Sequence, residues 1–150
     1  MAPSLTIDPL NGFMRIAGCS LVIARGLTKA RAWAGLEHLH RSSVDHGNGY
    51  EWLAFDGVRF GGQPAGFSLG LHLGAVEQVT IGVSLPEAGR EGGWPTQRAI
   101  EQEVGFTRKE LSRQLSRPFD SGQEHFAWGV AWSLFDQKGF LASAGIRYAP

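Results

Sequence analysis

Cysteine is almost missing from this chain: Cys19 is the only one in 150 residues. A lone cysteine excludes an internal disulfide and with it the usual staple of a small secreted scaffold. Net charge is missing as well, because fourteen basic side chains offset fourteen acidic ones. No global field therefore draws the chain to nucleic acid or to an anionic membrane. No segment approaches the ~20 consecutive apolar residues of a membrane span. The opening MAPSLTIDPLNGFMR carries an acid and two prolines where a secretory signal has a basic start and an apolar run. The expected address is the cytoplasm, with no nucleic acid and no membrane among the partners.

Glycine, by contrast, is abundant. Its 21 copies are about twice average usage, and they fall within or between strand-like runs, which favours sheet and turns over helix. At this length one domain over residues 1–150 is expected, burying roughly two-thirds of its unfolded surface.

The strongest pattern is AGFSLGLHLGAVEQVTIGVSL, residues 65–85. Phe67, Leu69, Leu71 and Leu73 alternate with Ser68, Gly70 and His72; Val79, Ile81, Val83 and Leu85 alternate with Thr80, Gly82 and Ser84. Alternation with period two predicts an antiparallel hairpin with one large apolar face and one small polar face. Upstream, Asn11-Gly12 predicts a two-residue turn between Leu5–Leu10 and Phe13–Ile16, and Ser20–Ala24 is a further short apolar run. Thr28 is placed to cap a helix through KARAWAGLEHLH, with Trp33, Leu36 and His40 on one face. Residues from Ser42 to Gly49 read as turn chemistry. Asp56-Gly57 predicts a second hairpin turn between Glu51–Phe55 and Val58–Phe60.

Further along, PEAGREGG (86–93) has no apolar periodicity and reads as an exposed loop. Thr96 opens a second helical region that Gly105 interrupts. Thr107 and Glu110 fit a capping box, with Phe106 and Leu111 as its hydrophobic staple, so two short helices or one kinked helix are expected before Pro118. Glu124 to Phe135 puts Phe126, Trp128, Val130, Trp132 and Leu134 on one face and Ala127, Gly129, Ala131 and Ser133 on the other. Asp136–Gly139 then turns into a last strand, Phe140–Tyr148. The fold class expected is α+β: an antiparallel sheet with two helical regions on one face, in two helix-then-meander halves.

No catalytic signature stands out. Gly66-Phe67-Ser68-Leu69-Gly70 matches G-x-S-x-G, but a nucleophile elbow needs a strand-to-helix turn and this serine lies within a strand. His38, His40, His46 and Glu51 lack metal-ligand spacing, since i and i+2 point to different helix faces. For His72 and His125 no partner carboxylate is identifiable in the sequence, so no acid–base couple is argued. Cys19 reads as a small buried hydrophobe. Arg108, Lys109, Arg113 and Arg117, interspersed with glutamates, read as a solvated helix face.

What remains is the small-residue face: Ser68, Gly70, His72, Thr80, Gly82, Ser84, Gly129, Ala131 and Ser133. Glycine in a strand often marks close approach of another backbone or a ligand. Either bulky groups such as Trp52 or Trp94 lie across this face, or it is a concave surface that receives a partner, rimmed by exposed aromatic anchors.

Gly26-Leu27-Thr28 before the first helix, the run from Phe60 to Leu85, and Trp128-Gly129-Val130-Ala131-Trp132 with Ile146-Arg147-Tyr148 resemble small bacterial α+β proteins of the β-lactamase-inhibitor-protein type. In general style they also resemble stand-alone immunity proteins that neutralise toxins. The resemblance implies a binding protein that is not an enzyme and needs no cofactor or metal, whose protein partner is a toxin or effector domain. The expected binding residues are Ser68, Gly70, His72, Thr80, Gly82, Ser84, Gly129 and Ser133, and the expected state is a monomer or weak dimer. The alternative is a small-molecule or catalytic domain with a pocket between sheet and helices, using His72, His125 or Tyr148. A third reading is a structural subunit of a larger assembly.

Overall fold

The computed structural model describes residues 2–85, 90–91 and 94–150. Strands β1 (Leu5–Ile7), β2 (Met14–Ile16) and β3 (Val22–Ile23) form a small antiparallel sheet. Helix α1 (Lys29–Leu36) and a 3-10 turn (Glu37–Leu39) lead into β4 (His40–Asp45), β5 (Tyr50–Phe60), β6 (Gln63–His72) and β7 (Ala75–Val83). The two-residue strands β8 (Arg90–Glu91) and β9 (Trp94–Pro95) precede α2 (Gln97–Leu115), which is followed by β10 (Gln123–Phe126), β11 (Gly129–Asp136) and β12 (Leu141–Tyr148).

The main sheet has seven strands in the order β10-β11-β12-β7-β6-β5-β4, each antiparallel to its neighbours. Two meanders, four strands after α1 and three after α2, meet along a single seam between β7 and β12. That seam registers Gly145 with Thr80, Ile146 with Val79 and Arg147 with Gln78. This is the expected antiparallel α+β architecture.

One face of the sheet supplies the core. Leu53, Phe55, Phe67, Leu69, Val79, Ile81 and Ile146 are buried there with Leu5, Ile7, Met14, Ile16 and Ile23 of the small sheet and Leu36 of α1. Phe55 stacks on Phe67 with centroids 5.1 Å apart. Each such side chain contributes about 1.5–3 kcal/mol when fully buried. Helix α2 packs on β11 and β12. Both helices begin at a threonine in extended conformation. Thr28 Oγ1 accepts from the Arg31 N–H at 3.3 Å and Thr96 Oγ1 from the Ala99 N–H at 3.1 Å, satisfying amides that would otherwise lack a partner. Ser116, at φ 55°, caps α2 in the left-handed region.

Several sequence expectations are corrected. Residues 40–45 form an edge strand, because polar Arg41, Ser42 and Ser43 suit an exposed edge; only 46–49 make the turn. Asp56-Gly57 is a bulge within one long β5, and the chain reverses at Gly61-Gly62 instead. Asn11-Gly12 lies in a longer loop between β1 and β2. On α1 the buried positions are Ala32 and Leu36, while Trp33 is 37% exposed and meets His40 edge-on at 4.6 Å. Leu73, expected in the apolar face, sits in the left-handed region at φ 51° in the Leu73-Gly74 turn.

Helix α2 is continuous. Thr107 does not cap a new start; its hydroxyl donates back to the carbonyls of the preceding turn and meets Ser133 Oγ. Glu110 binds Arg113 and Gln114 instead of an N-terminal amide. Of the loop expected at 86–93, only Arg90–Glu91 belongs to the described residues, paired with Trp94–Pro95.

Candidate functional site

The face of the main sheet opposite the core is built from the small residues of β5, β6, β7 and β12. Cross-strand register lines up Ala54, Ser68, Thr80 and Gly145 in one row, and Gly66 faces Gly82 in the next. Ala54, Ser68 and Thr80 are half-buried, while Gly82 and Ser84 are exposed. The result is a depression of about 930 Å³ whose floor includes Gly66, Ser68, Thr80, Gly82 and Ser84 and whose rim carries Arg41, Arg59 and Leu141.

At the other end of the same face the side chains are large. Trp52 pairs with Val44 and with Gly70 across strands, and a Cβ placed on Gly70 would meet the Trp52 ring at 3.0 Å. Gly70 is thus the seat of an indole. Tyr50 stacks on His72 with centroids 4.4 Å apart and planes within 15°. His72 Nδ1 lies 4.0 Å from Glu77. Tyr50 is 44% exposed, Val44 53% and Leu73 78%. From the sequence, Trp52 is expected only as a cover and Leu73 only in the large apolar row, while Tyr50 and Val44 are not expected on this face. The period-two pattern of β5 carried the signal for Tyr50 and Trp52, obscured by the turn assigned at Asp56-Gly57.

Of the eight residues expected on this surface, six are on its side of the sheet: Ser68, His72, Thr80, Gly82 and Ser84, with Gly70 buried beneath Trp52. The other two are not. A turn at Ala127-Trp128 separates β10 from β11 and reverses the parity expected from one continuous strand. Ser133 and Ala131 therefore face α2 and are fully buried; Ser133 Oγ donates to the Val104 carbonyl at 3.1 Å. Trp132 stands on the outer face, its Nε1 donating to Ser143 Oγ at 3.0 Å. Gly129 is a close-approach point, at φ 151°, where a Cβ would run into the Arg147 carbonyl oxygen.

On α2, Lys109 and Arg113 are exposed, as a solvated helix face has them, while Arg108 and, just beyond the helix, Arg117 act as fasteners. Arg108 Nε donates to the Ser133 carbonyl at 2.9 Å and Arg113 holds Glu110 at 2.5 Å. Arg117 donates to the His125 carbonyl and lies 3.9 Å above the Phe126 ring. Phe126 in turn stacks on Trp128, whose indole N–H donates to the Pro9 carbonyl at 3.0 Å.

The groups that a pocket between sheet and helices would use are not brought together. The Tyr148 hydroxyl is buried, donating to the Gly12 carbonyl at 2.8 Å, and burial pushes its pKa up. His72 is on the opposite face and His125 on the edge strand β10. Ser68 lies in the middle of β6 between Ala54 and Thr80, without the turn a nucleophile elbow needs. Among the described residues no group of three or more His, Cys, Asp or Glu side chains could hold a metal ion, and no helix is long and apolar enough to cross a membrane.

What fold and surface define is an antiparallel α+β scaffold with one face of its main sheet given to the core and the other turned outward. No known protein family matches the chain, and no curated protein matches it. Among solved structures it is similar to a chain of one described as "Rhs1-CT in complex with cognate immunity protein RhsI1", with a TM-score of 0.47 and 8% identity over 96% of this chain and 86% of that one.

Proposed function

We propose that this chain is a binding protein without catalysis, an immunity protein that neutralises a bacterial toxin domain by direct contact through the outward face of its seven-stranded sheet. The observation that carries the binding role is the composition of that face. Solvent-facing sides of antiparallel sheets are ordinarily polar, yet here Tyr50, Trp52, Val44 and Leu73 cluster beside a low floor of small residues. Aromatic anchors next to a receiving hollow are the arrangement in which a few side chains supply most of the binding energy. From β4 to β12 the face spans four strand spacings, about 19 Å, by about 30 Å along β6. That is of the order of the ~800 Å² each partner contributes to a standard interface. The toxin-neutralising part of the reading rests on the resemblance carried by the sequence pattern.

The test is capture of a partner by the tagged full-length chain from its native cells, followed by expression of that partner with and without the chain. A partner that is toxic alone and harmless in co-expression is the expected result. A captured protein with no toxicity overturns the immunity role. Tyr50→Ala and Trp52→Ala are expected to weaken binding about 30-fold each, the size of an interface hot spot, while Leu10→Ala in the β1–β2 loop leaves it unchanged. Equal binding by all three variants removes the outward face as the contact surface.

A further inference from the structure

The chain contains two Asn-Gly dipeptides, Asn11-Gly12 and Asn48-Gly49, and the fold treats them oppositely. We infer that Asn48 is a site of spontaneous deamidation and that Asn11 is protected from the same chemistry.

The reaction is intramolecular. The backbone nitrogen of the following residue, having lost its proton, attacks the asparagine Cγ. The new N–Cγ bond forms as the Cγ–Nδ2 bond breaks, and the amide nitrogen leaves as ammonia. Water then opens the five-membered succinimide at either carbonyl, giving an aspartate or a backbone-extended isoaspartate. Glycine in the following position favours the attack because no Cβ obstructs the approach. The nucleophilic N–H must also be free, and the backbone able to close the ring.

Both asparagines start from the same local geometry. Asn11 Oδ1 accepts from the Phe13 N–H at 2.9 Å, and Asn48 Oδ1 from the Tyr50 N–H at 3.2 Å. In each case the side chain is folded over the next peptide with its carbonyl polarised by a donor. The difference lies in the glycine. Gly12 is buried, its N–H donates to the Asp8 carbonyl at 2.8 Å, and its carbonyl accepts from the Tyr148 hydroxyl at 2.8 Å. The Trp128 ring presses against its Cα. Ring closure at Asn11 requires all of these to open. Gly49 sits in the exposed turn between β4 and β5 at φ 92°; its carbonyl, like that of Gly12, is held, accepting from the Leu73 N–H at 2.7 Å, but among the described residues its N–H, the nucleophile, donates to no protein acceptor. Every residue from Arg41 to Tyr50 is exposed.

Conversion places a new carboxylate two residues from Tyr50, at the aromatic end of the outward face. The chemistry at Asn48 is independent of what binds there; only its effect on a partner rests on the proposed function.

The experiment is peptide mapping by mass spectrometry of the full-length folded chain during incubation in warm, mildly alkaline buffer. The peptide containing Asn48 is expected to gain one mass unit, with an isoaspartyl fraction, at least about tenfold faster than the peptide containing Asn11, the factor for opening one buried hydrogen bond. In urea-unfolded chain the two rates should converge. An unconverted Asn48, or equal rates in the folded chain, overturns the inference. Asn48→Gln abolishes the fast conversion if the assignment is right, and a persistent mass gain in that variant's peptide overturns it.

Discussion

A methyl group added at Gly82 would meet nothing within 4 Å, whereas at Gly129 it would strike the backbone of β12. Gly82→Ser should therefore change stability by less than about 0.5 kcal/mol, as surface substitutions do. Gly129→Ala, forced into a positive-φ conformation against the Arg147 carbonyl, should cost more than about 1–3 kcal/mol. Urea unfolding of the two variants checks the contrast. Glu110 makes a prediction of another kind. Burial alone would raise its pKa, but hydrogen bonds from Arg113 and Gln114 hold it below the ordinary 4.5. An ion favoured by the fold contributes stability that is complete above the unfolded carboxylate's pKa and is lost as pH falls through the lower, folded one. Wild-type urea midpoints should thus decline on acidification below about 4.5 more steeply than those of Glu110→Gln.

Among the elements, α2 departs most from what its residues advertise. Thr107 and Glu110 have the spacing of a helix start, yet Thr107 is buried against Ser133 and Glu110 beneath Arg113, so tertiary partners override the local signal. Thr107→Val or Ser133→Ala alone removes the contact between the two hydroxyls while the remaining one keeps its backbone carbonyl acceptor, at about 0.5–1.5 kcal/mol. The double variant should cost less than the sum, and a double-mutant cycle in urea measures the coupling. The strands show where reading a sequence stops. The β6–β7 hairpin was legible because its alternation is long and its register pairs large with large. Strand β4 was not, since Arg41, Ser42 and Ser43 are typical of an exposed edge and of a loop alike. The Ala127-Trp128 turn was invisible for a different reason: it carries none of the Asn-Gly or Asp-Gly chemistry of tight turns. One missed turn shifted the parity of β11 and moved Ser133 to the wrong face of the sheet.

At the scale of the molecule, the α+β class and antiparallel sheet were legible from hairpin turns and grouped strands. The candidate surface was legible only in its β6 and β7 half. Its aromatic end arises from long-range register, Tyr50 opposite His72 and Trp52 opposite Gly70, and no local pattern announces which strands become neighbours. The seam between β7 and β12 has a kinetic consequence. Within each meander, contacts close short loops, but the three registered pairs of the seam join residues 78–80 to 145–147, so a loop of more than sixty residues must close before they give any return. Contacts of such sequence separation are the costly ones in reaching the folding transition state. Ile146→Val, a truncation at the middle of the seam, is therefore expected to leave the refolding rate nearly unchanged and to accelerate unfolding by almost the full loss of stability. Stopped-flow chevrons would show this as a shift confined to the unfolding arm. The sheet is continuous in space, but its folding is expected to run as that of two sheets, with the bonds that make it one the last to form.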